Sequence, residues 1–301
     1  MNRKDFVKTL GVLSFSLADV PFLPEIQGRI REHKTAFKKG LGYWMIDEDL
    51  SVLDKFKLVK DLGFQGIEMN SPLEVPIKEL LAARDQTGVE LPSTVNKDHW
   101  AKPLSDPDPS IRRFTIDSIA KSLAETKELG GDTVLVVPGV VSAEVSYQTA
   151  YQNALDSIRK LIPHAEKNGV KIGLENVWNN FILSPIEAKA FLDEIDHPLV
   201  GWYFDLGNIL RYGWPEHWLE ILADKVFKLH VKEFSTEAMN NQGLRAGFNV
   251  ELGKGSVNWK SVMDKIRAIN YQGDYLILEI GGGDRKHLEK LSRQLDDIMI
   301  S

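Results

Sequence analysis

The chain contains no cysteine. Disulfides, thiolate zinc sites, iron–sulfur clusters and cysteine nucleophiles are thereby excluded, and any metal must rest on oxygen and imidazole ligands. The compartment stays open, because a chain without cysteine suits both the cytoplasm and an export route. Long apolar runs are also lacking. The stretch from Leu10 to Leu17 is shorter than the roughly 20 residues of a membrane span, and no later segment approaches that length. Runs of Lys or Arg are absent too, and the formal net charge is −6. Nothing therefore points to a nucleic-acid backbone as partner. No G-x-G-x-x-G follows the first apolar run, which weakens any dinucleotide-binding reading.

The 301 residues suit one (β/α)₈ barrel, about 250 residues in its usual form, with an N-terminal extension. A composition of 43% hydrophobic and 27% charged residues is that of a globular enzyme able to bury a sizeable core. The expected division is an extension over residues 1–36 and a single α/β barrel domain over residues 37–301. Asn2-Arg3-Lys4-Asp5-Phe6 is like a twin-arginine export signal whose second Arg has become Lys. No A-x-A-like cleavage site follows it. The expected location is cytoplasmic, or periplasmic if that segment works as a signal.

From about residue 40 the chain alternates short apolar runs with longer amphipathic ones. The short runs are Gly40–Met45, Gly66–Met69, Val89–Val95, Thr133–Val137, Val170–Leu174, Val200–Phe204, Val226–Val231 and Tyr275–Ile280. They are rich in Val, Ile, Leu and aromatics, as strands buried on both faces should be. Helical spacing marks Ser51–Leu62, Ile111–Leu129, Tyr151–Lys167, Pro185–Ile195, Val257–Ile269 and Arg285–Ile298. Asp108-Pro109 and Ser184-Pro185 read as helix starts, with an N-cap and a first-turn proline. Lys60-Asp61-Leu62-Gly63 echoes Lys127-Glu128-Leu129-Gly130, and Lys167-Asn168-Gly169 and Ile269-Asn270 are looser copies. In each, Gly or Asn ends a helix just ahead of a strand. Strands alternating with helices predict a parallel sheet with right-handed crossovers. Eight such units close into a barrel; an open doubly wound sheet is the competing architecture.

The chemistry of an α/β barrel lies at the C-terminal ends of its strands. There the last four runs carry Glu175, Asp205, His230 and Glu279. A single acid at a strand end usually caps a helix or pairs with a base, and a lone His in an apolar run is usually a hydrogen-bonded core residue. Four in consecutive units are another matter. Converging carboxylates without a cation repel one another and lose ionisation. One divalent ion resolves the conflict. An oxygen-rich set with one imidazole suits Mn²⁺, Mg²⁺ or Co²⁺, with Zn²⁺ also able to bind.

Leu174-Glu175-Asn176, Phe204-Asp205-Leu206-Gly207-Asn208, His230-Val231-Lys232-Glu233 and Leu278-Glu279 resemble the xylose-isomerase-like barrel superfamily of sugar and sugar-phosphate isomerases and epimerases. The resemblance covers about residues 38 to 298. Glu175–Phe181, His99-Trp100 and Gly253–Trp259 look most like its hexulose-phosphate 3-epimerase branch. The resemblance implies that Glu175, Asp205, His230 and Glu279 bind the metal, and that Glu175 and Glu279 also act as acid and base. The sequence departs from the free-ketose epimerases at Asn208, where those usually carry histidine. Barrels of this kind often pair into homodimers, although no sequence feature specifies one here.

Removing a proton beside a carbonyl leaves an enediolate whose negative charge a divalent ion can stabilise. Two carboxylates can then take a proton from one face and return one to the other. The expected function is thus a sugar or sugar-phosphate epimerase or isomerase. The alternative on the same centre is a lyase or hydrolase of oxidised (keto) glycosides. A DNA-repair endonuclease of the superfamily would need more histidine ligands and a basic face; seven histidines and a charge of −6 oppose it. Candidate substrate contacts are His99, Trp44, Glu68, Trp178, Asn208 and Lys232. For His99 the alternative is a surface loop histidine; for Glu68, a salt bridge at the barrel rim. Arg245 and Arg285 are candidates to meet a phosphate, whereas Trp202 and Trp259 read as packing.

Overall fold

The computed structural model of the protein describes residues 37–301. The twin-arginine-like segment and the rest of residues 1–36 lie outside the described residues. The strands are β1 (Lys38–Gly42), β2 (Gly66–Ser71), β3 (Ser93–Asn96), β4 (Thr133–Val136), β5 (Lys171–Glu175), β6 (Val200–Asp205), β7 (Val226–Val231) and β8 (Tyr275–Leu278). They pair in chain order, and β8 closes in parallel on β1, giving an eight-stranded barrel. Among the described residues the helices are α1 (Val52–Asp61), α2 (Ile77–Thr87), α3 (Pro109–Leu129), α4 (Tyr147–Asn168), α5 (Pro185–Ile195), α6 (Pro215–Leu222), α7 (Thr236–Gln242), α8 (Trp259–Ala268) and α9 (Arg285–Met299). No helix among the described residues is long and apolar enough to cross a membrane.

Strand parity places the site. Successive side chains of a strand face opposite sides. Ile172 and Leu174, Trp202 and Phe204, Leu229 and Val231, and Leu276 and Leu278 belong to the large apolar cluster shared with the helices. The residues between them face the barrel interior, where Leu135, Tyr203, Tyr275 and Ile277 form a separate cluster. Two residues on from Gly173, Tyr203, Lys228 and Ile277 stand Glu175, Asp205, His230 and Glu279. All four therefore lie on the inner surface towards the C-terminal ends of their strands.

The predicted caps are present. Asp108 Oδ1 accepts from the Ser110 N–H at 2.8 Å, and Ser184 Oγ from the Glu187 N–H at 3.2 Å. Gly130 and Gly169 end α3 and α4 in the left-handed conformation, at φ 88° and 66°. Three departures from the sequence expectations have local causes. The first strand stops at Gly42, and Tyr43–Met45 form a 3₁₀ turn, so Trp44 stands on the rim. The third strand is Ser93–Asn96 rather than Val89–Val95, because Pro92 has no N–H to offer the ladder. Helices α2, α6 and α7 escaped the periodicity reading: α6 has eight residues, and α7 has seven with none buried.

Candidate metal centre and active site

Glu175, Asp205, His230 and Glu279 each offer a ligand atom, and these atoms all lie within 4.8 Å of one another. The aspartate is fixed by its neighbours. Its Oδ1 accepts from the Asn208 N–H at 2.7 Å. The side chain of Asn176 then ties the ends of β5 and β6 together. Its Nδ2 donates to the Asp205 carbonyl at 2.8 Å, and its Oδ1 accepts from the Trp202 indole and the Asp205 N–H. Gly207 allows the next loop to close in, because a Cβ there would lie 2.7 Å from the Lys232 carbonyl oxygen.

His230 is held from below. Its Nε2 lies 2.7 Å from Glu68 Oε2, and its Nδ1 faces Glu279 Oε2 at 3.1 Å and Glu175 Oε1 at 3.4 Å. Glu68 sits mid-strand in β2, not at its end, and is fully buried. Its Oε1 accepts from Ser93 Oγ at 2.7 Å and from the Tyr203 hydroxyl. The rim salt bridge considered for Glu68 is thus not what the fold builds. This carboxylate–histidine pair leaves Nδ1 as the nitrogen available to a metal.

The donor set fits a divalent cation. Asp205 Oδ2 and Glu279 Oε2 are buried and have no hydrogen-bond partner. Lys232 Nζ lies 3.0 Å and 2.8 Å from them, close enough for charge attraction but outside hydrogen-bond geometry. Ligands at right angles on a cation with bonds of about 2.1 Å stand about 3.0 Å apart. The His230–Glu279 separation of 3.1 Å is of that size.

The charges show the same frustration. Burial and the neighbouring Glu279 push Glu175 up to about 8. Burial also raises Asp205, with Lys232 acting against it. For Glu279, burial favours the neutral acid, but Lys232 and His230 outweigh it and hold the carboxyl well below its usual range. Burial opposes charge on His230, yet Glu68 and Glu279 keep its pKa well above the ordinary value. Without a metal, burial therefore favours a proton on Glu175, and the carboxylates around His230 favour a second proton on its ring. A metal must displace at least one of them. Calorimetry of Mn²⁺ binding in buffers of different ionisation enthalpy is expected to show release of at least one proton per ion. Glu175, raised in the folded state, contributes stability below its ordinary value of 4.5 that is lost as pH rises through about 8. Stabilisation by metal should accordingly grow across that window. Binding without proton release would place the ion elsewhere.

The other predicted residues fall in different places. His99 is buried rather than on the surface, and its Nδ1 accepts from the Val137 N–H at 3.2 Å. Burial pushes its pKa down to about 3, so the ring is neutral and its remaining proton is on Nε2. Trp178 is half-buried, donates to the Asn208 carbonyl at 2.9 Å and packs against Phe234 and Phe248. The Asn208 amide donates to the Asn176 carbonyl at 3.1 Å. Lys232 borders the metal cluster, as above. Arg245 and Arg285 are exposed, and Arg285 lies 3.7 Å from Asp61. Trp202 and Trp259 are buried. Sequence reasoning missed Asn176, Ser93 and Tyr203 as supports of the site. A polar residue inside an apolar strand run was the available signal for Ser93.

A closed barrel with four ligand-type side chains towards the ends of consecutive strands defines an α/β barrel with a candidate metal site. The chain matches the family model described as the xylose isomerase-like TIM barrel over residues 56–297, and it belongs to that family. It is 24% identical over 243 residues to a putative L-ribulose-5-phosphate 3-epimerase of Escherichia coli K12, covering 76% of this chain and 84% of that one. An uncharacterized protein of Methanocaldococcus jannaschii is 27% identical over 208 residues, 65% of this chain and 67% of its own. Among solved structures, a 3-keto-D-glucoside 4-epimerase of E. coli superposes with a TM-score of 0.74 at 21% identity, over 88% of this chain and 100% of that one. A D-psicose 3-epimerase of Clostridium cellulolyticum gives 0.69 at 19% identity, over 88% and 97%. At these identities the structural likeness establishes the fold.

Proposed function

We propose that this protein is a divalent-metal-dependent sugar epimerase or isomerase that works by proton transfer beside a carbonyl. The observation that carries the reading is the cluster of Glu175, Asp205, His230 and Glu279, with two carboxylate oxygens buried and lacking hydrogen bonds. All four residues would hold the metal. When bound, that ion supplies Lewis acidity that stabilises negative charge developing on a substrate oxygen.

The chain's own residues do the rest. Glu279 borders the cavity beside the centre and is the more open of the two glutamates, at 29% side-chain exposure against 5% for Glu175. One glutamate takes the proton from the carbon next to the carbonyl, leaving the enediolate. The other returns a proton to the opposite face of that carbon, giving the epimer. Return to the neighbouring carbon instead gives the aldose–ketose isomer. Asp205 and His230 are ligands only in this scheme. Glu68 orients His230, and Asn176 and Asn208 orient Asp205. Neutral His99 offers an N–H donor to a substrate oxygen, and Trp44 and Trp178 supply walls for a sugar ring. The names of the curated relatives, which are 3-epimerases, support proton transfer beside a ketone carbonyl.

The test is isotope exchange. Metal-loaded protein is incubated in D₂O with a panel of ketoses, ketose phosphates and keto-glycosides, and the products are followed by proton NMR. Deuterium is expected at one carbon adjacent to the carbonyl, with exchange abolished by EDTA and restored by Mn²⁺. Exchange that survives EDTA would remove the metal from the mechanism.

A further inference from the structure

Next to the metal centre lies a cavity of about 460 Å³ that begins at Lys232 and Glu279. That volume is within the range of sites for drug-sized ligands, about 300–1,000 Å³. Its other walls include Phe248, Val250 and Leu252, from the segment after β7, and Leu291 of α9. The segment is pinned without any ligand. The Glu233 carboxylate accepts from the Gly253 and Val257 N–H groups at 2.9 and 3.3 Å, and from the Trp259 indole at 2.7 Å. The apolar side of the cavity is thus preformed, with Glu251, His287, Lys290 and Gln294 on the rest of the lining, and that side matches an uncharged ring system better than a free ketose dense in hydroxyls.

The same region is poorly made for a phosphate. Barrels of this type often hold a phosphate on free N–H groups at a helix N-terminus that follows the last strands. Here carboxylates already occupy that position. At the start of α9, Asp284 Oδ1 accepts from the His287 N–H at 2.9 Å, and Glu48 Oε1 accepts from the Arg285 N–H at 2.8 Å. Lys290 in the cavity wall is paired with Glu251 at 2.8 Å. Lys232 stands between Asp205 and Glu279. Neither Arg245 nor Arg285 lines the cavity.

We infer that this cavity is a subsite for the uncharged aglycone of an oxidised glycoside. The substrate class is then keto-glycosides, not ketose phosphates. The inference rests on the proton-transfer reading of the metal centre and narrows it. An apolar aglycone seated on Phe248, Val250, Leu252 and Leu291 would hold the keto-sugar against Glu279.

Metal-loaded full-length protein is offered L-ribulose 5-phosphate, 3-keto-D-glucose and phenyl 3-keto-β-D-glucoside in D₂O, and deuterium uptake beside the carbonyl is timed by NMR. The phenyl glycoside is expected to exchange with a kcat/KM about tenfold or more above the other two, the scale of burying a small apolar group. Val250→Asp should reduce the ratio of phenyl glycoside to 3-keto-glucose about tenfold. Saturation transfer from protein to the phenyl protons gives a reading independent of turnover. If either other probe matches or exceeds the phenyl glycoside, the subsite assignment is overturned while the proton-transfer reading stands. If no probe exchanges, the proton-transfer reading falls. Saturation transfer then decides the subsite alone, and its absence overturns the assignment.

Discussion

Glu279→Gln lowers the rate of carbon-bound proton exchange by about 10²–10⁴-fold, the usual contribution of a positioned acid or base. The amide keeps an oxygen that can approach a cation, but it cannot accept or return a proton. Glu279 is suited to the test because it stands between the ligand cluster and the cavity. Its Oε2 lies 3.1 Å from His230 Nδ1 and 2.8 Å from Lys232, while the residue also lines the cavity. Metal content is measured on the same samples by elemental analysis, at Mn²⁺ concentrations high enough to refill a weakened site. A variant that holds metal and has lost exchange supports the proton-carrying role. One that holds metal and exchanges at the parent rate removes Glu279 from the chemistry. Glu175→Gln should behave similarly in exchange. It should also reduce the protons released on metal binding, because the proton held by Glu175 is then gone from the metal-free protein.

The second large effect concerns a residue that stands behind His230, Glu68. Glu68→Gln is expected to weaken metal binding by about 10–100-fold, as loss of a carboxylate behind a metal-bound histidine usually does. Glu68 accepts from Ser93, from Tyr203 and from the His230 ring. An amide in that place turns one acceptor oxygen into a donor. Either its NH₂ confronts the two hydroxyls, or it confronts the ring nitrogen and drives the imidazole towards the other tautomer. The second outcome puts the proton on Nδ1, where the metal should be. Chelator competition measures the affinity, and ¹⁵N chemical shifts of the His230 ring report the tautomer. Tyr203→Phe, which removes one donor and leaves the carboxylate, should produce a smaller loss of the same kind. Unchanged affinity and unchanged ring shifts in Glu68→Gln would show that His230 is oriented by something else. The variant should also be less stable, because the network is fully buried and its polar groups have no water to turn to.

Much of this could be read without coordinates. The strand positions, the caps at Asp108 and Ser184, and the turns at Gly130 and Gly169 depend on residues a few positions apart, and short-range stereochemistry specifies them. The convergence of Glu175, Asp205, His230 and Glu279 was legible for a related reason. Once eight parallel strands close in order, every strand end faces the same axis. Glu68 was noticed but misplaced. Only its register within β2 shows that it points inward, one step below the metal ligands, and not outward at the rim. His99 was equally ambiguous in sequence, since nothing near it reveals that the Val137 N–H would bury and fix its ring.

The sequence by itself determined the barrel and the chemical character of the site. Apolar periodicity, turn residues and an acid or histidine towards the end of each late strand are local patterns that a closed barrel satisfies together. Tertiary structure alone decided how that site is supported and what adjoins it. Glu68 meets His230 across 162 residues of chain, and Glu48 meets the start of α9 across 237. Such pairs are set by barrel closure and loop packing. No periodicity records them, because neither partner's neighbours in sequence depend on the contact.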